Sequence, residues 1–217
     1  MSNKHDHWQK VYTNKNSDEV SWYQSTPATS LEIISGFHLP KQAHIMDVGG
    51  GDSSLVDHLL EHGYSNISVL DISETALEKA KNRLGERSKN VEWIVANAAT
   101  YRPSKTYDLW HDRAAFHFLN TPTEIDNYVQ TVSQFVHSEG FLVMGTFAED
   151  GPAKCSGLPV QRYSETMMAT LLNRFFDKIK CFTEQHRTPF NTLQHFLYCS
   201  FRRMAQESSI GIICSTH

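Results

Sequence analysis

One stretch, His44-Ile45-Met46-Asp47-Val48-Gly49-Gly50-Gly51-Asp52-Ser53-Ser54, constrains this chain more than any other. An apolar run holding a single acid passes straight into three consecutive glycines, then into small hydroxyl residues that suit a helix start. That order reads as a buried strand, a tight turn and a helix N-terminus. Glycine lets the backbone approach a ligand closely, and the first turn of a helix presents N–H groups with no intrahelical partner. Together they make a cradle for a nucleotide-like ligand.

The rest of the chain repeats the strand–helix alternation. Asn66–Asp71 reads as a second strand ending in an acid. Ser73 then caps a helix with Leu77, Ala80 and Leu84 at helical spacing, and Gly85 closes it. Val91–Val95 is a third strand, Tyr107–Trp110 a fourth and Phe141–Phe147 a fifth. Helices fall between them, at 53–61 and after Thr121-Pro122-Thr123-Glu124. That tetrapeptide combines a cap, a first-position proline and a glutamate placed for a capping box. Thr26-Pro27 opens a shorter helix before the first strand, and Ser164 caps another. The chain finishes with a hairpin, 178–187 and 194–203, turning at Thr188-Pro189-Phe190-Asn191.

Five alternations imply a mostly parallel sheet with helices on both faces. The final turn is too short for a parallel crossover, so the last strand runs antiparallel to its neighbour. The expected fold is α/β: a Rossmann-like, seven-stranded, mostly parallel sheet with an antiparallel C-terminal hairpin strand. No repeat or linker divides it. Residues 1–203 are expected to form a single domain, and 204–217 a flexible tail. Residues 1–26 carry Trp8, Tyr12, Trp22 and Tyr23, too aromatic for a loose segment. They pack as a helix on the body, close over a pocket as a lid, or both. Ligands in such sheets bind beyond the carboxyl ends of the strands, where the strand order reverses.

A dinucleotide fold wants a third glycine where this chain has Ser54, and no Gly-Lys-Ser/Thr phosphate loop is present. What stands instead is Asp47-Val48-Gly49-Gly50-Gly51, which resembles the first motif of class I S-adenosyl-L-methionine (AdoMet)-dependent methyltransferases. Asp71 matches that family's acid for the two ribose hydroxyls. Asn97 falls where the family has a polar residue, more often Asp, near the adenine amino group. Asp108, in Tyr107-Asp108-Leu109-Trp110, matches the fourth motif. The resemblance spans about residues 20–203. It implies AdoMet as cofactor, S-adenosyl-L-homocysteine as product, and contacts from Asp47, Gly49, Gly50, Gly51, Asp71, Ile72, Asn97, Ala98 and His111. Asp47 or the Gly49 carbonyl would serve the cofactor's amino group. Gly50 replaces a Cys or small residue commoner in the family, a replacement expected to change little.

Methyl transfer from a sulfonium needs orientation, desolvation and, for a protonated nucleophile, a base. His111 and Asp112 follow the fourth strand and are the expected catalytic pair, as proton acceptor or as positioning groups; His111 suits the former because it titrates near neutral pH. Trp22, Tyr23, Arg113, Arg162 and Tyr163 are expected to contact substrate. Arg113 either pairs with Asp112 or holds an anion. The loop 148–163 is long enough to wall the substrate side. Cys155, within it, is read as a packing residue, and no metal ligand set is apparent.

Residues 107–119 and 155–164 also resemble a bacterial subgroup of methyltransferase-domain proteins. The early aromatic segment and Asp112-Arg113 are similar to methyltransferase-like protein lysine methyltransferases, from which Ala114 and Ala115 depart. A small-molecule acceptor is the first expectation and a protein lysine the second. A non-catalytic AdoMet binder and a nicotinamide oxidoreductase rank lower. With 217 residues and a net charge of −4, no basic cluster favours DNA. The longest apolar run is too short to span a membrane. Four cysteines without a CxxC pair suggest reduced thiols in the cytoplasm. Monomer or dimer is left open.

Overall fold

A computed structural model describes residues 3–205. Its main sheet has seven strands in the order β3-β2-β1-β4-β5-β9-β8. The parallel part comprises β1 (His44–Val48), β2 (Asn66–Asp71), β3 (Val91–Val95), β4 (Tyr107–Arg113) and β5 (Val136–Phe147). A short ribbon, β6 (Lys154–Cys155) with β7 (Leu158–Pro159), lies inside the loop after β5. The terminal hairpin is β8 (Phe176–Arg187) and β9 (Leu193–Arg203). β9 is inserted antiparallel between β5 and β8, as the short turn requires.

Six α-helices accompany the strands: α1 (Asn3–Asn14), α2 (Ala28–Gly36), α3 (Leu55–Glu61), α4 (Glu74–Leu84), α5 (Pro122–Phe135) and α6 (Glu165–Leu172). Their caps follow the sequence signals. Ser73 accepts from the Ala76 N–H at 3.2 Å, and Thr121 exchanges backbone hydrogen bonds with Glu124 at 3.2 Å each way. Among the described residues no helix is long and apolar enough to cross a membrane.

Helices cover both faces, so the central strands alternate between two cores rather than between core and water. Ile45, Val69, Leu109 and Val143 meet α2, α3 and α4 through Ile34, Leu55, Leu59 and Leu77. Met46, Val48, Trp110 and Leu142 meet α5 and α6 through Tyr128, Val132, Met168 and Leu172. Adjacent residues of one strand therefore serve opposite faces, which decides the fate of His111 and Asp112 below.

Three expectations change. β4 runs on to Arg113 instead of stopping at Trp110. β5 begins at Val136, where the α5 chain turns directly into the sheet, with Val136 opposite Tyr107 and a register shift before Leu109. The thiols are not all free: Cys181 and Cys199 sit opposite each other on β8 and β9, with Cα atoms 4.2 Å apart, and form a disulfide. Nothing in their spacing marks this pair, because only the hairpin register brings them together. Cys155 is free and buried. Of the expected tail, 206–217 lie outside the described residues.

Candidate active site

The strand order reverses between β2-β1 and β4-β5, so the carboxyl ends of β1 and β4 flank the switch point. Two adjoining clefts open there, of about 610 and 740 Å³. They share Tyr12, Trp22, Gly49 and Arg113.

The first cleft is built on a three-residue relay. Asp47 and His111 are register partners on parallel strands, so their side chains stand side by side on one face. His111 Nδ1 lies 2.8 Å from Asp47 Oδ1, and His111 Nε2 lies 2.9 Å from Ser30 Oγ on α2. All three residues are almost wholly buried. One ring nitrogen faces the Asp47 carboxylate and the other the serine hydroxyl, so the ring is fixed at both ends. Neither ring nitrogen is left free for the cleft. Asp47 Oδ2, in contrast, is buried and has no partner.

The glycine turn lies over that oxygen. A Cβ on Gly50 would fall 2.6 Å from both Asp47 Oδ2 and Val69 Cγ1, so any side chain there would displace the carboxylate. Gly51 adopts φ +45°, and a Cβ on it would meet Asp71 Oδ2 at 2.8 Å and Tyr12 Oη at 3.1 Å. Ser54, standing where a dinucleotide fold has glycine, donates to the Gln24 carbonyl at 3.0 Å. It thereby ties the turn to the segment that covers it. Arg83 holds the turn from outside, reaching Asp52 at 2.5 Å and Asp57 at 2.8 Å.

The second cleft is more apolar. Leu70, Asp71 and Ile72 end β2, Ala96, Asn97 and Ala98 follow β3, and Ala114, Ala115, Phe118 and Leu119 follow β4. Asp71 Oδ1 accepts from the Ser73 N–H at 2.7 Å. Burial pushes the Asp71 carboxyl up to about 7, partly opposed by that backbone hydrogen bond. Asn97 Oδ1 accepts from the Ala99 N–H at 2.9 Å, which leaves its amide N–H groups as what it can offer the cleft. Where the resemblance implied an acceptor, this chain presents a donor.

α1 and residues 17–24 form the cover. Trp8 packs against Trp22 and Phe118 with ring centroids 5.6 and 5.0 Å apart, and Tyr12 lies 6.2 Å from Trp22. Gln9 Oε1 accepts from Ser73 Oγ at 2.5 Å and from the Thr75 N–H at 3.1 Å, which docks α1 on the start of α4. Lys4 reaches the Phe118 carbonyl at 2.9 Å and Glu124 at 2.8 Å. The segment packs on the body through α4 and α5, and its rings line the clefts.

The predicted residues divide between the clefts. Asp47, Gly50, His111 and Tyr23 line the first cleft, Asp71, Ile72, Asn97 and Ala98 the second, and Gly49, Trp22 and Arg113 both, while Gly51 lines neither. Asp112 lines neither, and its expected pairing with His111 is corrected. It follows Trp110 onto the opposite face, where Tyr128 Oη donates to Oδ2 at 2.6 Å and the Ala115 and Phe116 N–H groups donate to Oδ1. Burial pushes its carboxyl up to about 6. Arg162 and Tyr163 are corrected likewise: Arg162 Nη1 reaches only the Gly151 carbonyl at 3.4 Å, and Tyr163 packs 5.4 Å from Phe116 in the core. Asp108 accepts from the His44 N–H at 2.7 Å, at the far end of β1. Ser30 and Gln9 were not anticipated, since a serine and a glutamine on helices carry no periodic or motif signal.

Comparison with known proteins fits this geometry. Residues 46–142 match the family described as a methyltransferase domain. Over 133 residues the chain is 31% identical to malonyl-[acyl-carrier protein] O-methyltransferase 1 of Ilyobacter polytropus, covering 60% of this chain and 48% of that protein. It is 25% identical over 120 residues to the eEF1A lysine and N-terminal methyltransferase of Mus musculus, covering 55% of this chain and 17% of that protein. The chain thus spans less than half the length of either relative. The N-methyltransferase NodS from Bradyrhizobium japonicum, solved with S-adenosyl-l-homocysteine, superposes with a TM-score of 0.67 at 16% identity, covering 91% of this chain and 99% of that one.

Proposed function

From a chain with a matched methyltransferase domain and the class I methyltransferase fold, we propose that it transfers a methyl group from AdoMet to a small-molecule acceptor. Residues 1–203 are assigned to one methyltransferase domain, with α1 as part of its active site. The clefts fit the cofactor in three places. Asp47 Oδ2 is an orphaned buried acceptor that an ammonium group would satisfy. The turn at Gly49–Gly51 leaves open the space that side chains would fill. Asp71 offers a carboxylate to a ribose diol, and Asn97 offers N–H donors to a ring nitrogen of adenine.

When bound, AdoMet supplies an electrophilic methyl group on a sulfonium. The chain's own residues supply placement and dryness. His111 acts here as a positioning residue: with both nitrogens engaged, it holds Asp47 at the rotamer that presents Oδ2. Asp112 acts behind the sheet, where it fixes the turn at Ala114–Phe116 that walls the second cleft.

The observation that carries the small-molecule reading is the roof. α1 and residues 17–24 set Tyr12 and Trp22 against both clefts and Trp8 against the second, so aromatic rings narrow the approach to the strand ends. A protein lysine is the second reading, favoured by the name of the mouse relative. Incubation of the protein with tritiated AdoMet and a cell lysate, then separation by size, decides between them. Label in the small-molecule fraction is the expected result. Label in the protein fraction reverses the order of the two readings, and label in neither removes the first.

A further inference from the structure

We propose that Arg113 recognises an acceptor bearing an anionic oxygen group, a carboxylate or a phosphate, at the junction of the two clefts. This deepens the methyltransferase reading and rests on it.

Arg113 ends β4 beside the glycine turn and lines both clefts. Its guanidinium is held in one orientation by neutral groups. Nε donates to Tyr198 Oη at 2.9 Å, Nη1 donates to the Trp22 carbonyl at 3.0 Å, and the group sits 4.9 Å over the Phe196 ring. Nη2 is buried and has no partner. Among the described residues, no carboxylate forms an ion pair with Arg113, although arginines elsewhere, such as Arg83, find two. A half-buried cation with one buried nitrogen unpaired is costly to hold in place, and an incoming anion would offset that cost.

The surroundings keep that charge uncompensated. His117 and His186 both titrate below their ordinary range, chiefly through burial and secondly through the Arg113 charge, so neither adds a cation. Cys155, which lines the second cleft, is pushed up to about 11 by burial and so stays a neutral thiol. Three acids line the clefts, and none pairs with Arg113: Asp47 Oδ1 meets His111, Asp52 pairs with Arg83, and Asp71 Oδ1 accepts from the Ser73 N–H. The free edge of the guanidinium thus has one kind of partner left to meet, and it must arrive from solution. A planar fork suits carboxylate and phosphate oxygens and repels an ammonium group, so the same residue weighs against a lysine acceptor.

Isothermal titration tests this on the full chain saturated with S-adenosylhomocysteine. The probes are malonate, inorganic phosphate and, as a cationic control, n-butylamine. The wild-type complex is expected to bind malonate or phosphate and not butylamine. Arg113→Gln is expected to weaken that anion affinity by about ten-fold or more while S-adenosylhomocysteine affinity stays within about two-fold. Arg113→Lys, which keeps the charge without the fork, is expected to fall between and guards against a folding defect in Arg113→Gln. Equal anion binding by wild type and Arg113→Gln overturns the proposal. So does a ten-fold loss of S-adenosylhomocysteine affinity in Arg113→Gln without an anion effect, which reassigns the residue to the cofactor's own carboxylate. S-adenosylhomocysteine bound with no anion binding by wild type overturns this inference alone. A wild-type chain that binds no S-adenosylhomocysteine removes the methyltransferase reading beneath it as well.

Discussion

The floor of the clefts and their roof are built by different means. The floor is backbone and short side chains at strand ends: Asp47 and Asp71, fixed by the sheet register, and Gly49, Gly50 and Asn97 in the turns just beyond β1 and β3. The roof is α1 and residues 17–24, held by large rings and by a few long side chains, Lys4, Gln9 and Tyr12. A floor of this kind tolerates almost no change in volume, because its neighbours are main chain and buried carboxylate. A roof of this kind tolerates substitution singly and loosens by degrees. Affinity is therefore expected to reside in the floor and residence time in the roof.

Gly50→Val attacks the floor where it is tightest and carries the largest expected effect. AdoMet affinity should fall by about 100-fold or more, since the new side chain takes the place of the Asp47 carboxylate. Unchanged affinity by calorimetry would remove the floor from the cofactor site. Asp71→Ala comes next, with an expected loss of about 1–3 kcal/mol in AdoMet binding, the scale of a charged hydrogen-bond partner.

Protonation gives a finer cut at the same residue. Asp71 is raised from 3.8 to about 7 in the folded chain, so between those values the folded state holds a proton that the unfolded state has released. The contribution of Asp71 to apo stability thus declines as pH rises through that window. Hydroxyl donors favour the ionised form, so cofactor binding releases a proton below about pH 7, and affinity drops by up to about ten-fold per unit of further acidification. Calorimetry in buffers of different ionisation enthalpy reads that proton directly, and Asp71→Asn should abolish it. Gln9→Ala carries the smallest effect. Losing its bonds to Ser73 and Thr75 should cost the α1 contact about 1 kcal/mol and raise the cofactor off-rate about five-fold, with the on-rate rising alongside it. Stopped-flow measurement showing a change in affinity as large as that of Asp71→Ala would erase the distinction between floor and roof.

The floor was also the part most legible in the sequence. Strand ends announce themselves through apolar runs that stop at glycine or acid, and a mostly parallel sheet follows from the alternation of strand and helix. Face assignment was harder. His111 and Asp112 look like a pair on paper, yet a strand sends neighbours to opposite sides, and Asp112 becomes a cap for Ala115 and Phe116. Arg162 and Tyr163 failed for a related reason: the long loop folds β6 and β7 into a ribbon and turns Tyr163 into the core. Ser30 could not be found at all, because its role depends on α2 crossing above His111. The Cys181–Cys199 bond depends in the same way on hairpin register.

The contacts of α1 also bear on how the chain reaches its fold. Gln9 meets partners 64 and 66 residues further along, and Lys4 meets one 120 residues away. α1 precedes every strand of the sheet in the chain, yet its partners Ser73 and Thr75 open α4 and Glu124 lies in α5. Its docking closes long loops and is complete only once the elements that carry those partners have formed.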